Sequence, residues 1–166
     1  MVTGGAQGLG LGITRMLAEN GAKVVIFDIN LAKGTEVSAT LLREGYIVSF
    51  QKVDVSDEAS VISAFEYVSK EHGQVDIVVN CAGIVGPHAI KGEDVDVKDF
   101  DKVYEGINSV HATSKCVYGA NHFSVNVRGS FLITKHSLKL MKPRNYGRIL
   151  LIASIAGKEV NLPINF

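Results

Sequence analysis

Thr3-Gly4-Gly5-Ala6-Gln7-Gly8-Leu9-Gly10 opens this 166-residue chain, and Asp28 closes the apolar run that follows it. Glycines at 4, 8 and 10 let a backbone turn sharply out of a strand and pass close to a bulky anion. A helix starting there aims its unpaired N–H groups and positive dipole end at that anion. Eighteen residues after Gly10, Asp28 stands where a carboxylate accepts hydrogen bonds from a ribose diol. An isolated glycine turn is weak support, because many helices begin at glycines. Here a helical pattern over 11–20 and a buried-strand pattern over 22–27 supply the required context. The spacing is that of a dinucleotide site, with Gly4, Gln7, Gly8, Leu9 and Gly10 around the diphosphate.

The elements that must position these residues alternate at βαβ spacing. The pattern predicts a strand stub at 1–3, then strands over 23–27, 47–53, 75–79 and 148–153. Helices are predicted over 9–20, 31–44, 58–72, 97–104 and near 125–141. Gly21, Gly45, Gly73 and Gly147 fall between helix and strand, where the chain reverses. Right-handed crossovers then give an α/β fold, a doubly wound, Rossmann-like parallel sheet with its ligand crevice beyond the carboxyl ends of the strands.

Size and composition narrow the function. The length suits one domain (1–166) with a substantial core. Lys+Arg and Asp+Glu balance at 17 each, so no global field favours nucleic acid or an anionic membrane. No leader-like segment and no spanning apolar run stands out. Cys81 and Cys116 are too few and scattered for a disulfide framework, which points to a reducing, cytoplasmic setting. The sequence is expected to be an incomplete copy of the fold, with the first strand, which should be central, shortened and the C-terminal strands and helices missing; a compact half-domain is the alternative.

Thr-Gly-x-x-x-Gly-x-Gly resembles the short-chain dehydrogenase/reductase family, and further matches follow in order. Asn80-Cys81-Ala82-Gly83 resembles the family's Asn-Asn-Ala-Gly signature, with Cys81 in place of the second Asn. The resemblance implies that small residues at Ala82 and Gly83 let the backbone approach the cofactor ribose. It also implies that Asn80 ties neighbouring strand ends together. Asp54 would hydrogen-bond the adenine amino group and the Val55 N–H would contact the ring; alternatively Asp54 faces solvent or shapes the turn before Ser56 and Asp57 cap the next helix. Ser154 falls where the family places the serine that hydrogen-bonds the substrate carbonyl. Asn126, in Val125-Asn-Val-Arg-Gly129, matches the asparagine that holds a proton-relay water. NAD is the expected cofactor, because Asp28 would face the 2′-phosphate of NADP and the next residue, Ile29, offers that phosphate no positive charge.

Two departures qualify the catalytic reading. In the family a Tyr exchanges the proton, and a Lys four residues on lowers its pKa. None of Tyr46, Tyr67, Tyr104, Tyr118 or Tyr146 has a lysine at that spacing. A polar stretch over about 106–124 also interrupts the expected run into Asn126. His111, Cys116 and His122 within it match no zinc spacing, so no metal is expected. Cys81 is expected to be unreactive, and His72, His88 and His136 are expected at the surface. The resemblance implies an alcohol or ketone substrate, and either a homo-oligomer or pairing with a full-length relative. The alternative is a truncated or splice-variant fragment that binds nucleotide without catalysis. A Rossmann-like methyltransferase would explain Asp28, but not residues 80–83 followed by Ser154.

Overall fold

The computed structural model describes residues 1–84 and 123–154. In chain order the elements are β1 (Val2–Thr3), α1 (Gly8–Glu19), β2 (Val24–Asp28), α2 (Leu31–Arg43), β3 (Val48–Lys52), α3 (Glu58–His72) and β4 (Ile77–Asn80). A π-helical turn, Phe123–Gly129, runs into α4 (Ser130–Met141), and the 3-10 turn Lys142–Arg144 leads to β5 (Arg148–Leu151). The helix predicted over 97–104 lies outside the described residues, as do 106–122. Among the described residues, no helix is long and apolar enough to cross a membrane.

The strands form one parallel sheet in the order β3-β2-β1-β4-β5. β1 is only two residues long, yet it is central: Val2 pairs with Ile26 on one side and Val79 on the other. Strand alternation turns Ile26 and Phe27 to opposite faces. On one face Val2, Ile26 and Val79 pack with Ala18 of α1 and Leu41 of α2. On the other, the Phe27 ring meets Phe65 of α3 edge-on at 5.8 Å, and Phe65 lies against His136 of α4. Helices thus cover both faces, as a doubly wound sheet requires.

Local chemistry explains where the helices begin. Asn30 caps α2 by accepting the Lys33 N–H at 3.0 Å. Asp57 caps α3 through the Ala59 and Ser60 N–H groups, and Gly73 ends that helix at a left-handed φ of 73°. The π-helical turn differs from the expected α-helix: continuous apolar periodicity shows that a segment is helical, but does not distinguish i+4 from i+5 closure.

His136 corrects the expectation of a surface histidine. It is 5% exposed and packed against Phe65 between α3 and α4. His72 is half-buried, with its ring edge-on to Tyr67. His88 lies outside the described residues.

Chain contacts divide the molecule into two units. The first, Met1–Ala82 with Gly129–Ile152, contains the sheet. Of the second, the described residues are 83–84, 123–128 and 153–154.

Candidate functional site

The glycine turn leaves β1 at Gly4 and enters α1 at Gly8, with φ values of 61° and 52° that other residues rarely adopt. A Cβ on Gly10 would stand 2.1 Å from the Gly4 carbonyl oxygen, so the bare α-carbon lets the turn fold onto the helix. Gly8 faces open space, and Gln7 and Leu9 are exposed beside it. Gln7 occupies the N-cap position with extended backbone and makes no side-chain cap; the first turn of α1 carries no acidic residue. α2 and α3 have side-chain caps on their opening N–H groups. Among the described residues no side chain caps the start of α1, and its bare backbone N–H groups suit an anion. On this observation a nucleotide diphosphate fits the turn.

Asp28 ends β2 beside that turn and is 8% exposed. Its Oδ2 accepts the Ala6 N–H at 3.1 Å, and its Oδ1 accepts the Asn30 N–H at 3.0 Å. The sequence suggested only a ribose partner; the carboxylate also fastens the glycine turn. Each oxygen has a second lone pair, so these bonds leave acceptor capacity for a diol.

Asp54 follows β3 and is half-buried. Its Oδ1 accepts both the N–H and the hydroxyl of Ser56, at 2.9 and 2.6 Å, while its own N–H donates to Ser60 Oγ at 3.0 Å. Asp54 thus shapes this turn, whatever else it meets, and Asp57 rather than Ser56 caps α3. Val55 is buried, and Gly129 approaches it so closely that a Cβ there would sit 2.9 Å from Val55 Cγ2.

Asn80 is buried at the end of β4, and the structure ties it to two elements. Its Oδ1 accepts from the Thr3 hydroxyl at 2.6 Å, and its Nδ2 donates to Ser130 Oγ at 2.9 Å. Thr3 Oγ1 in turn accepts the Ala82 N–H at 3.1 Å. A Cβ on Gly4 would lie 3.0 Å from the Ala82 backbone, so the two loops touch. Sequence reasoning missed Thr3, Ser130 and Ala6 as partners. A hydroxyl in a buried strand was the available signal for Thr3; Ser130 and Ala6 gave none.

Burial pushes the Cys81 thiol upward, in agreement with an unreactive cysteine. In the second unit, Asn126 grips a single backbone unit. Its Oδ1 accepts the Ile84 N–H and its Nδ2 donates to the Ile84 carbonyl, both at 2.9 Å. Gly83 lies beneath, where a Cβ would stand 3.3 Å from Asn126 Oδ1. Ser154 is exposed, three residues past the end of β5.

The family model described as short chain dehydrogenase matches residues 1–164. Zerumbone synthase of Zingiber zerumbet is 35% identical over 156 residues, which are 94% of this chain and 51% of that protein. (+)-Borneol dehydrogenase 2 of Salvia officinalis is 33% identical over 94% of this chain and 48% of its own length. The crystal structure of gox2181 aligns with a TM-score of 0.79 at 33% identity, covering 98% of this chain and 55% of that one. Sorbitol-6-phosphate 2-dehydrogenase SrlD of Erwinia amylovora gives 0.76 at 29% identity, covering 99% and 57%. The chain spans about half the length of the curated relatives it matches.

Proposed function

This chain belongs to the short chain dehydrogenase family, and from that premise we propose that it binds NAD and serves hydride transfer between nicotinamide and an alcohol or ketone. The observation that carries the reading is Asp28, a carboxylate at the end of β2 that is bonded to the glycine turn through Ala6. The N–H groups at the start of α1, around Gly4, Gln7, Gly8, Leu9 and Gly10, would hold the diphosphate, and Asp28 the adenosine ribose. Asp54 and Val55 would meet adenine, while Asn80, Ala82 and Gly83 line the ribose approach. When bound, the nicotinamide supplies a hydride donor or acceptor.

Choice of NAD over NADP follows from charge. A 2′-phosphate about 4 Å from Asp28 would be repelled by roughly 1–4 kcal/mol, depending on exposure. Ile29, 60% exposed beside it, provides no compensating cation.

Ser154 would hydrogen-bond the substrate carbonyl, and Asn126 would hold a relay water. (+)-Borneol dehydrogenase 2 bears a name that fits an alcohol substrate. Phe131 and Leu138, 61% and 42% exposed on α4, support a self-associating protein. The reading assigns it to the cytoplasm as one NAD-binding domain over 1–166, with the 106–124 stretch inserted in it.

Calorimetric titration with NADH, followed by a turnover assay on simple ketones, tests the proposal. Micromolar binding with turnover supports the whole reading. Binding without turnover favours a non-catalytic nucleotide-binding chain, and no binding at millimolar NADH overturns both.

A further inference from the structure

The reading of residues 80–83 as part of the cofactor cradle leaves open what holds that segment in place. Three side chains form a continuous donor–acceptor series across three elements. Asn80 Nδ2 donates to Ser130 Oγ on α4, Thr3 Oγ1 donates to Asn80 Oδ1, and the Ala82 N–H donates to Thr3 Oγ1. Thr3 and Asn80 are 0% and 3% exposed, so water does not readily substitute for a lost partner.

We infer that Ser130 is a positioning residue for coenzyme binding, acting through Asn80 and Thr3 on the Ala82 backbone. An asparagine amide has two chemically different ends, and a bond at one end fixes what the other presents. With Ser130 accepting from Nδ2, Oδ1 must face Thr3. The Thr3 proton is then committed to Asn80, and its oxygen lone pairs remain for Ala82. That bond holds Ala82 against Gly4, where a Cβ on Gly4 would stand 3.0 Å from the Ala82 backbone. Without Ser130 the amide is free to flip, Thr3 loses its fixed acceptor, and Ala82 loosens.

The inference rests on the proposed coenzyme site, and its test separates the two. In Ser130→Ala, exchange protection of the Ala82 amide should fall about tenfold and the NADH Kd should rise about tenfold. Ser130→Thr, which keeps the hydroxyl, should restore both. Ser137→Ala is the control: it removes a buried hydroxyl from the same helix, bonded at 2.6 Å to Ile133 O, and should change neither. If Ser130→Ala does not fold, Ser130→Cys, a weaker acceptor of similar size, should shift both readouts in the same direction. Unchanged Ala82 protection, or equal effects from Ser137→Ala, overturns the inference whether or not NADH binds. Failure of the parent chain to bind NADH, with the Ala82 response intact, counts against the coenzyme reading alone.

Discussion

Asp28 Oδ2 accepts the Ala6 N–H at 3.1 Å, so the carboxylate that ends β2 also fastens the turn that leaves β1. One side chain thereby shapes the glycine turn and, in the proposed function, would also meet the coenzyme ribose. Stability and coenzyme choice should therefore respond together to changes at position 28.

Asp28→Ala leaves the Ala6 and Asn30 N–H groups without their acceptor, at a cost of about 1–3 kcal/mol for a buried group. We expect a lower Tm and an NADH Kd raised about tenfold or more, the latter equivalent to at least ~1.4 kcal/mol. Asp28→Asn keeps an acceptor but removes the charge. Titration with both coenzymes should show the preference for NADH over NADPH falling about tenfold. An unaltered ratio would refute the assignment of this carboxylate to the ribose.

Gly10 and Gly12 should behave in opposite ways, although both belong to α1. A methyl at position 10 meets the Gly4 carbonyl oxygen at 2.1 Å, so the backbone must move. Gly10→Ala should cost about 1–3 kcal/mol in denaturant unfolding and abolish NADH binding. A Cβ at position 12 meets nothing within 4 Å, so Gly12→Ala should stabilise by about 0.5–1 kcal/mol through helix propensity.

Gly129 brings the start of α4 against the loop after β3, proposed above to meet adenine, since its missing Cβ would lie 3.3 Å from the Val55 carbonyl oxygen. Gly129→Ala should displace Val55 at a cost of about 1 kcal/mol. AMP affinity, measured calorimetrically, should fall. Unchanged AMP binding would separate Val55 from the adenine site.

His136 makes stability pH-dependent. Burial pushes its imidazole below the usual range; Lys139 and Lys135 act in the same direction, opposed by Glu58, whose Oε1 is 3.8 Å from Nε2. The folded state therefore favours neutral His136. Between its lowered pKa and the ordinary value of about 6.5, the unfolded chain binds more protons, so stability increases with pH. Melting curves should show a Tm that falls as pH drops from 7.5 to 5.5, with a shallower slope for His136→Phe. Identical slopes would show that another group carries the dependence.

Much of the frame was legible because it is written in short-range chemistry. α3 begins at Glu58 and ends at His72 as expected, since Asp57 and Gly73 mark its limits locally. The carboxyl-edge placement of Asp28 follows from strand length and apolar pattern. The burial of His136 was not legible, because its enclosure depends on Phe65, which lies 71 positions earlier on another helix. Nor did the pattern reveal that Asn126 clamps Ile84, 42 residues away.

The sequence by itself determined the alternation of strands and helices, the sharp turn at Gly4, Gly8 and Gly10, and the acidic residue closing β2. These follow from backbone freedom, capping and hydrophobic period, all properties of neighbouring residues. Only the tertiary structure decided that Asp28 holds Ala6, that Thr3, Asn80 and Ser130 form one hydrogen-bonded series, and that His136 is enclosed. Such partnerships arise when a parallel sheet brings distant strand ends together, and their directional bonds leave no periodic trace along the chain.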